Sequence, residues 1–224
     1  MEFQYKGLKA ALERVEVTDT EIDRHLEKLR QQASMGHPDK EPYALDDAFA
    51  REVGQCENLA RMREKMGEAL RAHYDERAEE ELRDRLIRQA AATLDYTPTE
   101  DEVADGAQKQ LETLRAQLAQ RNLTVEAYCS FSGTTQEQLL EDLAEDSRQL
   151  LKIQAAIDKI AALEGVTVTE KDVADACAEI CRINRITASE LAKVYDDALA
   201  ETVRTSVITG KVLTLVREAA VVEE

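Results

Sequence analysis

Tryptophan is absent from this sequence, and aromatic residues together make up only 4% of it. Three prolines and eight glycines are few for a chain of 224 residues. A β-sandwich or barrel needs aromatic and β-branched strands broken by Gly- and Pro-rich turns, so these shortages weigh against either. The four cysteines, Cys56, Cys129, Cys177 and Cys181, are too few and too scattered for a disulfide framework. No apolar run approaches the roughly 20 residues that a membrane-spanning helix requires. The opening Met-Glu-Phe-Gln-Tyr-Lys lacks the basic and apolar regions of a signal peptide. A cytoplasmic protein without a membrane partner is the expectation.

Positive charge is also short. Against 46 acidic residues stand 29 basic ones, giving a formal charge of -17. A surface of that sign repels phosphates, which excludes a general nucleic-acid binder. With 43% hydrophobic residues the chain has material for a core. Its abundant Ala, Leu, Glu, Arg and Gln favour long helices. Length alone allows one large domain or two small ones.

Periodicity and capping residues then place the helices. Residues 3–17 form a short strand or an extended lead-in. Thr18 and Glu21 form a capping box that opens a helix to about Gln32, with Ile22, Leu26 and Leu29 on one face. Met35 to Pro42 holds two of the three prolines and a glycine, and reads as a linker. A short helical turn follows Leu45. From Glu57 to Thr93 nothing interrupts the pattern, and a helix of that length reaches on the order of 55 Å. Such a helix exceeds what a compact domain of this mass covers, and is expected to protrude. Further helices begin after Thr99 and near Tyr128, the latter ending at Gly133. Thr134 with Glu137 is a second capping box, opening a helix of about 30 residues to Gly165. Leu139, Leu143, Leu150, Ile153, Ile157 and Ile160 mark its apolar face. Thr169 starts the next helix, to about Arg182, Thr187 with Glu190 caps another, and a last one runs from about Glu201 to Ala219.

One phrase recurs: Thr18-Asp-Thr-Glu-Ile-Asp, Thr99-Glu-Asp-Glu-Val-Ala and Thr169-Glu-Lys-Asp-Val-Ala. Each joins a capping threonine to an acidic first turn, where the helix dipole favours negative charge. The repetition speaks of helix starts rather than of function.

Nothing assembles a reaction centre. His25, His37 and His73 are isolated, and no Gly-rich phosphate loop, His-Glu-x-x-His or Cys-x-x-Cys is present. Asp46-Asp47 and Glu79-Glu80-Glu81 lack opposing partners and read as solvated faces. Cys177 and Cys181, four apart on one helical face, read as small core residues rather than as half a zinc site. No catalytic residue, metal or cofactor is expected, and the chain does not read as an enzyme. On the long helix, Met62 and Met66 lie one turn apart, with Tyr74 two turns on. Methionine suits surfaces that accept varied apolar partners, and suits equally well the packing of neighbouring helices. Between Glu100 and Asp146 eleven acidic residues face three basic ones, which solubilises and favours basic segments over like-charged chains.

Taken in order, several segments resemble the C-terminal, substrate-binding part of trigger factor, the bacterial chaperone family. They are Tyr5-Lys6-Gly7-Leu8, Val15-Glu16-Val17-Thr18-Asp19, Leu26-Glu27-Lys28-Leu29-Arg30, and Leu45-Asp46-Asp47-Ala48-Phe49-Ala50 with Gly54. The long charged helix to Pro98 follows, then Asn122-Leu123-Thr124-Val125-Glu126-Ala127-Tyr128 and the Gly133-Thr134 helix start. Glu164-Gly165-Val166-Thr167-Val168-Thr169 and Lys211-Val212-Leu213 through Val222 complete the set. Ribosome docking and prolyl isomerisation, which the family's other domains carry, are not expected of this chain alone. The chain is expected to be a fragment of a longer protein or a naturally stripped homologue.

The resemblance implies an all-α, extended multi-helix domain with protruding helical arms. Residues 1–34 would form a lead-in and first arm helix, and residues 35–44 a linker where the isomerase is inserted. Residues 45–224 would form a helical chaperone domain packed with residues 1–34. The implied function is ATP-independent holding of unfolded or nascent polypeptides in a helical cradle, with self-association beside it. Met62, Met66, Leu70 and Tyr74, with Leu111, Leu114 and Leu118 from the next arm, are the candidate client contacts. The alternative is a helical adaptor or homo-oligomeric scaffold that binds one specific folded partner.

Overall fold

The computed structural model describes residues 2–36 and 41–223. Of the expected linker, His37, Pro38, Asp39 and Lys40 lie outside the described residues. Among those described, the chain is all-α, with nine helices and two strands of three residues each. The helices are α1 (Asp19–Met35), α2 (Asp47–Glu52), α3 (Leu59–Thr93), α4 (Glu100–Gln120) and α5 (Val125–Ser132). They continue with α6 (Gln136–Glu164), α7 (Glu170–Asn184), α8 (Ala188–Val194) and α9 (Asp197–Glu218). Strands β1 (Lys9–Ala11) and β2 (Val221–Glu223) pair in a two-stranded sheet.

Threonine starts most of these helices. Thr18, Thr99, Thr124, Thr135, Thr169 and Thr187 each hold an extended backbone and accept from an N–H three residues on. All three copies of the repeated phrase are therefore true helix starts. At Thr99, Thr169 and Thr187 the acidic residue at the third helical position reaches back, completing a capping box. Glu21 departs from that expectation. Its carboxylate accepts from the Tyr74 hydroxyl at 2.8 Å instead, leaving Thr18 to cap α1 by itself. The expected Thr134–Glu137 box is displaced by one residue, to Thr135 and Gln138. The cause is Gly133, which ends α5 in the left-handed region at φ 69° and leaves Thr134 as the connecting residue. Helix α9 starts before Glu201, because Asp196 accepts from Leu199 N–H and caps it.

Chain contacts divide the structure into two units, one of Ala11–Leu82 with Val222–Glu224, the other of Met1–Ala10 with Arg83–Val221. The division falls inside α3: Met62 and Leu70 of its first part join the core of one unit, and Leu86, Ile87 and Ala90 of its last turns are buried in the other.

In the first unit, Ile22 and Leu26 of α1, Phe49 and Ala50 of α2, Cys56, and Met62 and Leu70 of α3 form one buried cluster. Phe49 is 1% exposed, with the Tyr43 ring tilted against it at 5.6 Å. Fully burying a side chain of this size stabilises by about 1.5–3 kcal/mol. Gly54 makes room for Met62: a Cβ there would lie 2.7 Å from the Met62 Sδ. Arg63 pairs with Asp23, adding a surface tie between α3 and α1.

In the second unit, α4 and α6 pack closely. Gly106 faces Ser147, which is 1% exposed and accepts from Gln110 Nε2 at 2.8 Å. Nearby, Leu111, Leu118, Val125, Cys129 and Leu139 form a buried cluster that α5 closes. Leu150, expected on the buried face of α6, is 53% exposed; Ala156, Ile157 and Ile160 carry that burial. The N-terminal segment is strapped to α6. Tyr5 Oη donates to Glu164 Oε1 at 2.7 Å, Lys6 pairs with the same carboxylate at 2.6 Å, and the Lys159 ammonium sits 4.8 Å from the Phe3 ring. No helix among the described residues is long and apolar enough to cross a membrane.

Candidate functional site

The seven residues expected to meet a client fall into the two units. Met62 and Leu70 lie in the first unit's core at 4% and 8% exposure, with Met66 half-buried against it. Tyr74 is half-buried and hydrogen-bonded to Glu21. Leu111 and Leu118 are buried in the second unit's α4–α5–α6 cluster, with Leu114 packed at its edge. Four of the seven thus have no surface to offer unless helices part. Their three- and four-residue spacing does mark an apolar face, but other helices already cover that face.

An uncovered apolar face lies on α7. Glu170–Asn184 is amphipathic, yet none of its residues is buried. Val173, Cys177 and Cys181 follow one another at four-residue steps, flanked by Ala174 and Ala178. Arg185 ends the helix in the left-handed region at φ 54°, and Thr187 caps α8 two residues later. This short connection sets α8 beside α7. Leu191 is 5% exposed and anchors α8, while Ala188, Ala192 and Tyr195 complete a second stripe facing the first. Between them runs an open groove of about 720 Å³, a size typical of ligand clefts. Glu170 is the one carboxylate that lines it. Ile183 and Val194, 65% and 62% exposed, add apolar surface at the ends of the same two helices.

Cys177 and Cys181 are half-exposed walls of this groove rather than core residues. They miss the core because α7 packs chiefly against α8 and α9, and these cysteines lie along the groove between α7 and α8. Burial, and then the neighbouring Cys177 thiol, raise the ionisation of the Tyr195 hydroxyl above its ordinary value. On the flank toward α9, Lys211 Nζ pairs with Asp172 Oδ2 at 2.6 Å and donates to the Thr167 carbonyl at 3.0 Å. The Lys211 ammonium, with the Thr169 hydroxyl and N–H, holds the Asp172 carboxyl well below the usual carboxylate range. Asp172 therefore both completes the α7 capping box and ties α7 to α9.

Among the described residues no group of three or more His, Cys, Asp or Glu is gathered closely enough to hold a metal ion. The groove's chemistry is that of exposed apolar surface, able to cover another apolar surface reversibly. A second apolar site is the end of α5, where Phe131 is 85% exposed and Tyr128 37%. The sequence carried a signal for the groove: two apolar stripes, 173/177/181 and 188/191/192, separated by a single helix break.

A family profile described as the bacterial trigger factor protein C-terminus matches residues 58–218. The trigger factor of Halalkalibacterium halodurans is 28% identical over 202 residues, covering 87% of this chain and 47% of the relative. That of Bacillus pumilus is 29% identical over 180 residues, covering 77% and 42%. Trigger factor 1 of Desulfitobacterium hafniense is 26% identical over 141 residues, covering 63% and 33%. The chain spans less than half the length of each of these relatives.

Proposed function

The chain belongs to the family of bacterial trigger factor C-termini, and from that premise we propose that it is an ATP-independent holding chaperone for unfolded or nascent polypeptides. The observation that carries this reading is the α7–α8 groove: an open, mainly apolar trough walled by the two facing stripes, with Leu191 buried in its lining. A client's apolar side chains lie against Val173, Ala178, Ala192 and Tyr195, and Phe131 offers a second point of contact. Of the seven residues marked by periodicity, Met66, Tyr74 and Leu114 keep half-exposed surface and belong to the contact set. Met62, Leu70, Leu111 and Leu118 hold the helices beneath.

The magnitudes suit transient holding. Covering about 300 Å² of apolar surface contributes roughly 7 kcal/mol at about 25 cal/mol per Å². Association and side-chain ordering cost about 4–15 kcal/mol, so each contact is weak and replaceable. The formal charge of -17 keeps loaded molecules apart in solution.

Light scattering of a chemically denatured protein, diluted with and without stoichiometric amounts of this chain, tests the reading. Suppressed aggregation of several unrelated clients without nucleotide is the expected result. Ala178→Glu, a substitution at an exposed helical position on the groove wall, should weaken suppression while far-UV circular dichroism stays unchanged. No suppression of any client overturns the proposal, and saturable 1:1 capture of one folded protein instead makes the chain an adaptor or scaffold.

A further inference from the structure

The groove's two cysteines carry chemistry that apolar holding does not use. Cys177 and Cys181 are one helical turn apart, half-exposed, and open into the same trough. Side chains four apart on a helix have Cβ atoms about 5–6 Å apart. A disulfide requires about 3.5–4.5 Å, so an intact α7 keeps these thiols from joining directly. The same spacing leaves room for one atom between the sulfurs. Zinc would need four ligands, and among the described residues no three His, Cys, Asp or Glu are gathered closely enough to hold a metal ion, although Glu170 lines the same groove. A soft ion content with two thiolates needs only what the groove provides.

We propose that Cys177 and Cys181 form a two-thiolate site for a soft, low-coordinate metal ion of the copper(I) class. Thiolates select copper(I) over the harder divalent ions. Binding forms two sulfur–copper bonds and breaks two S–H bonds. Both protons leave to solvent, no oxidation state changes, and the bound centre carries one negative charge. Affinity therefore rises with pH. Tyr195 lines the same groove as the two thiols. The other two cysteines, Cys56 and Cys129, are 7% and 5% exposed and serve as internal controls. The inference stands independently of the holding function.

An anaerobic titration with copper(I) against a chromogenic copper(I) chelator tests it on the full chain. The expected result is one tight equivalent, retained by the Cys56→Ser/Cys129→Ser double variant. Cys177→Ser and Cys181→Ser should each weaken it on the order of 100-fold or more, because a second ligand on the same helix acts at high effective concentration. On the unsubstituted chain, bound copper(I) should protect Cys177 and Cys181 together from alkylation, as peptide mass spectrometry reads. This second measurement needs no variant to fold. Protection of neither, or of one alone, overturns the proposal. So does a copper equivalent that survives both groove substitutions.

Discussion

The Tyr74 hydroxyl donates to Glu21 Oε1 at 2.8 Å, joining two residues 53 positions apart and fixing α3 to the first turn of α1. The carboxylate raises the ionisation of Tyr74 above its ordinary value, chiefly through this hydrogen bond. Tyr74→Phe removes the bond while keeping the ring. A net loss in unfolding free energy follows, measured by denaturant titration. The sign with pH is definite. A tyrosine whose folded pKa is raised contributes below its unfolded value near 10 and loses the contribution as pH climbs through the folded one. The gap between wild type and variant should hold steady to about pH 10 and close above it.

Met62 gives the second prediction. At 4% exposure, with Gly54 cleared for it, its role is internal. Met62→Ala should cost about 2–5 kcal/mol by leaving a cavity. Met62→Glu should cost more, because it buries an unpaired carboxylate. Urea denaturation followed by circular dichroism distinguishes this from a surface role, in which both substitutions would leave stability nearly unchanged. Met66, half-buried at the cluster's edge, should tolerate Met66→Glu better.

The helices themselves were legible, and the reason is local chemistry. A threonine followed three residues later by Glu, Asp or Gln announces a helix start nearby, and Thr18, Thr99, Thr135, Thr169 and Thr187 each cap one, while Thr134 misses its cap by a single residue. What periodicity cannot register is whether an apolar face is covered. Leu70 and Cys177 both sit in stripes of similar spacing, yet Leu70 is buried in a cluster with residues of α1 and α2 while Cys177 lines an open trough. That difference depends on which helix arrives alongside, a long-range fact absent from any 18-residue window. Smaller misses were matters of single residues: Gly133 shifts a cap by one, and Asp196 starts α9 where no threonine stands.

Gly106 supplies the third prediction, in which two effects oppose. In a helix interior Gly→Ala ordinarily stabilises by about 1 kcal/mol. Here the added Cβ would lie 3.0 Å from Ser147 Oγ and 3.1 Å from Ser147 Cβ. Ser147 is held by Gln110 and has no exposed space to retreat into. Overpacking of this kind costs about 1–3 kcal/mol, so Gly106→Ala should destabilise on balance, by on the order of 1 kcal/mol. The double variant with Ser147→Gly should recover the loss, a coupling that a thermodynamic cycle measures.

The Lys211–Asp172 pair gives the fourth, through pH. Asp172 is held below its ordinary value first by Lys211, then by Thr169. A carboxylate with a depressed folded pKa contributes fully above its unfolded value near 4, and the contribution drains away as pH falls toward the folded one. Lys211→Met should therefore melt lower than wild type at neutral pH. The difference should stay level down to about pH 4 and shrink below it. A gap that widens in acid would refute the assignment.

Helix α7 is secured at its two ends more than along its length. Thr169 and Asp172 close one end, Arg185 in the left-handed region closes the other, and no residue between is buried. Amide hydrogen exchange should find α7 opening well before α4 or α6, as a segment whose protection is set locally rather than by the global unfolding equilibrium. In evolutionary terms such a helix is a replaceable cartridge: the sealing residues must stay, while the flank facing the groove can be rewritten residue by residue without putting the fold at risk.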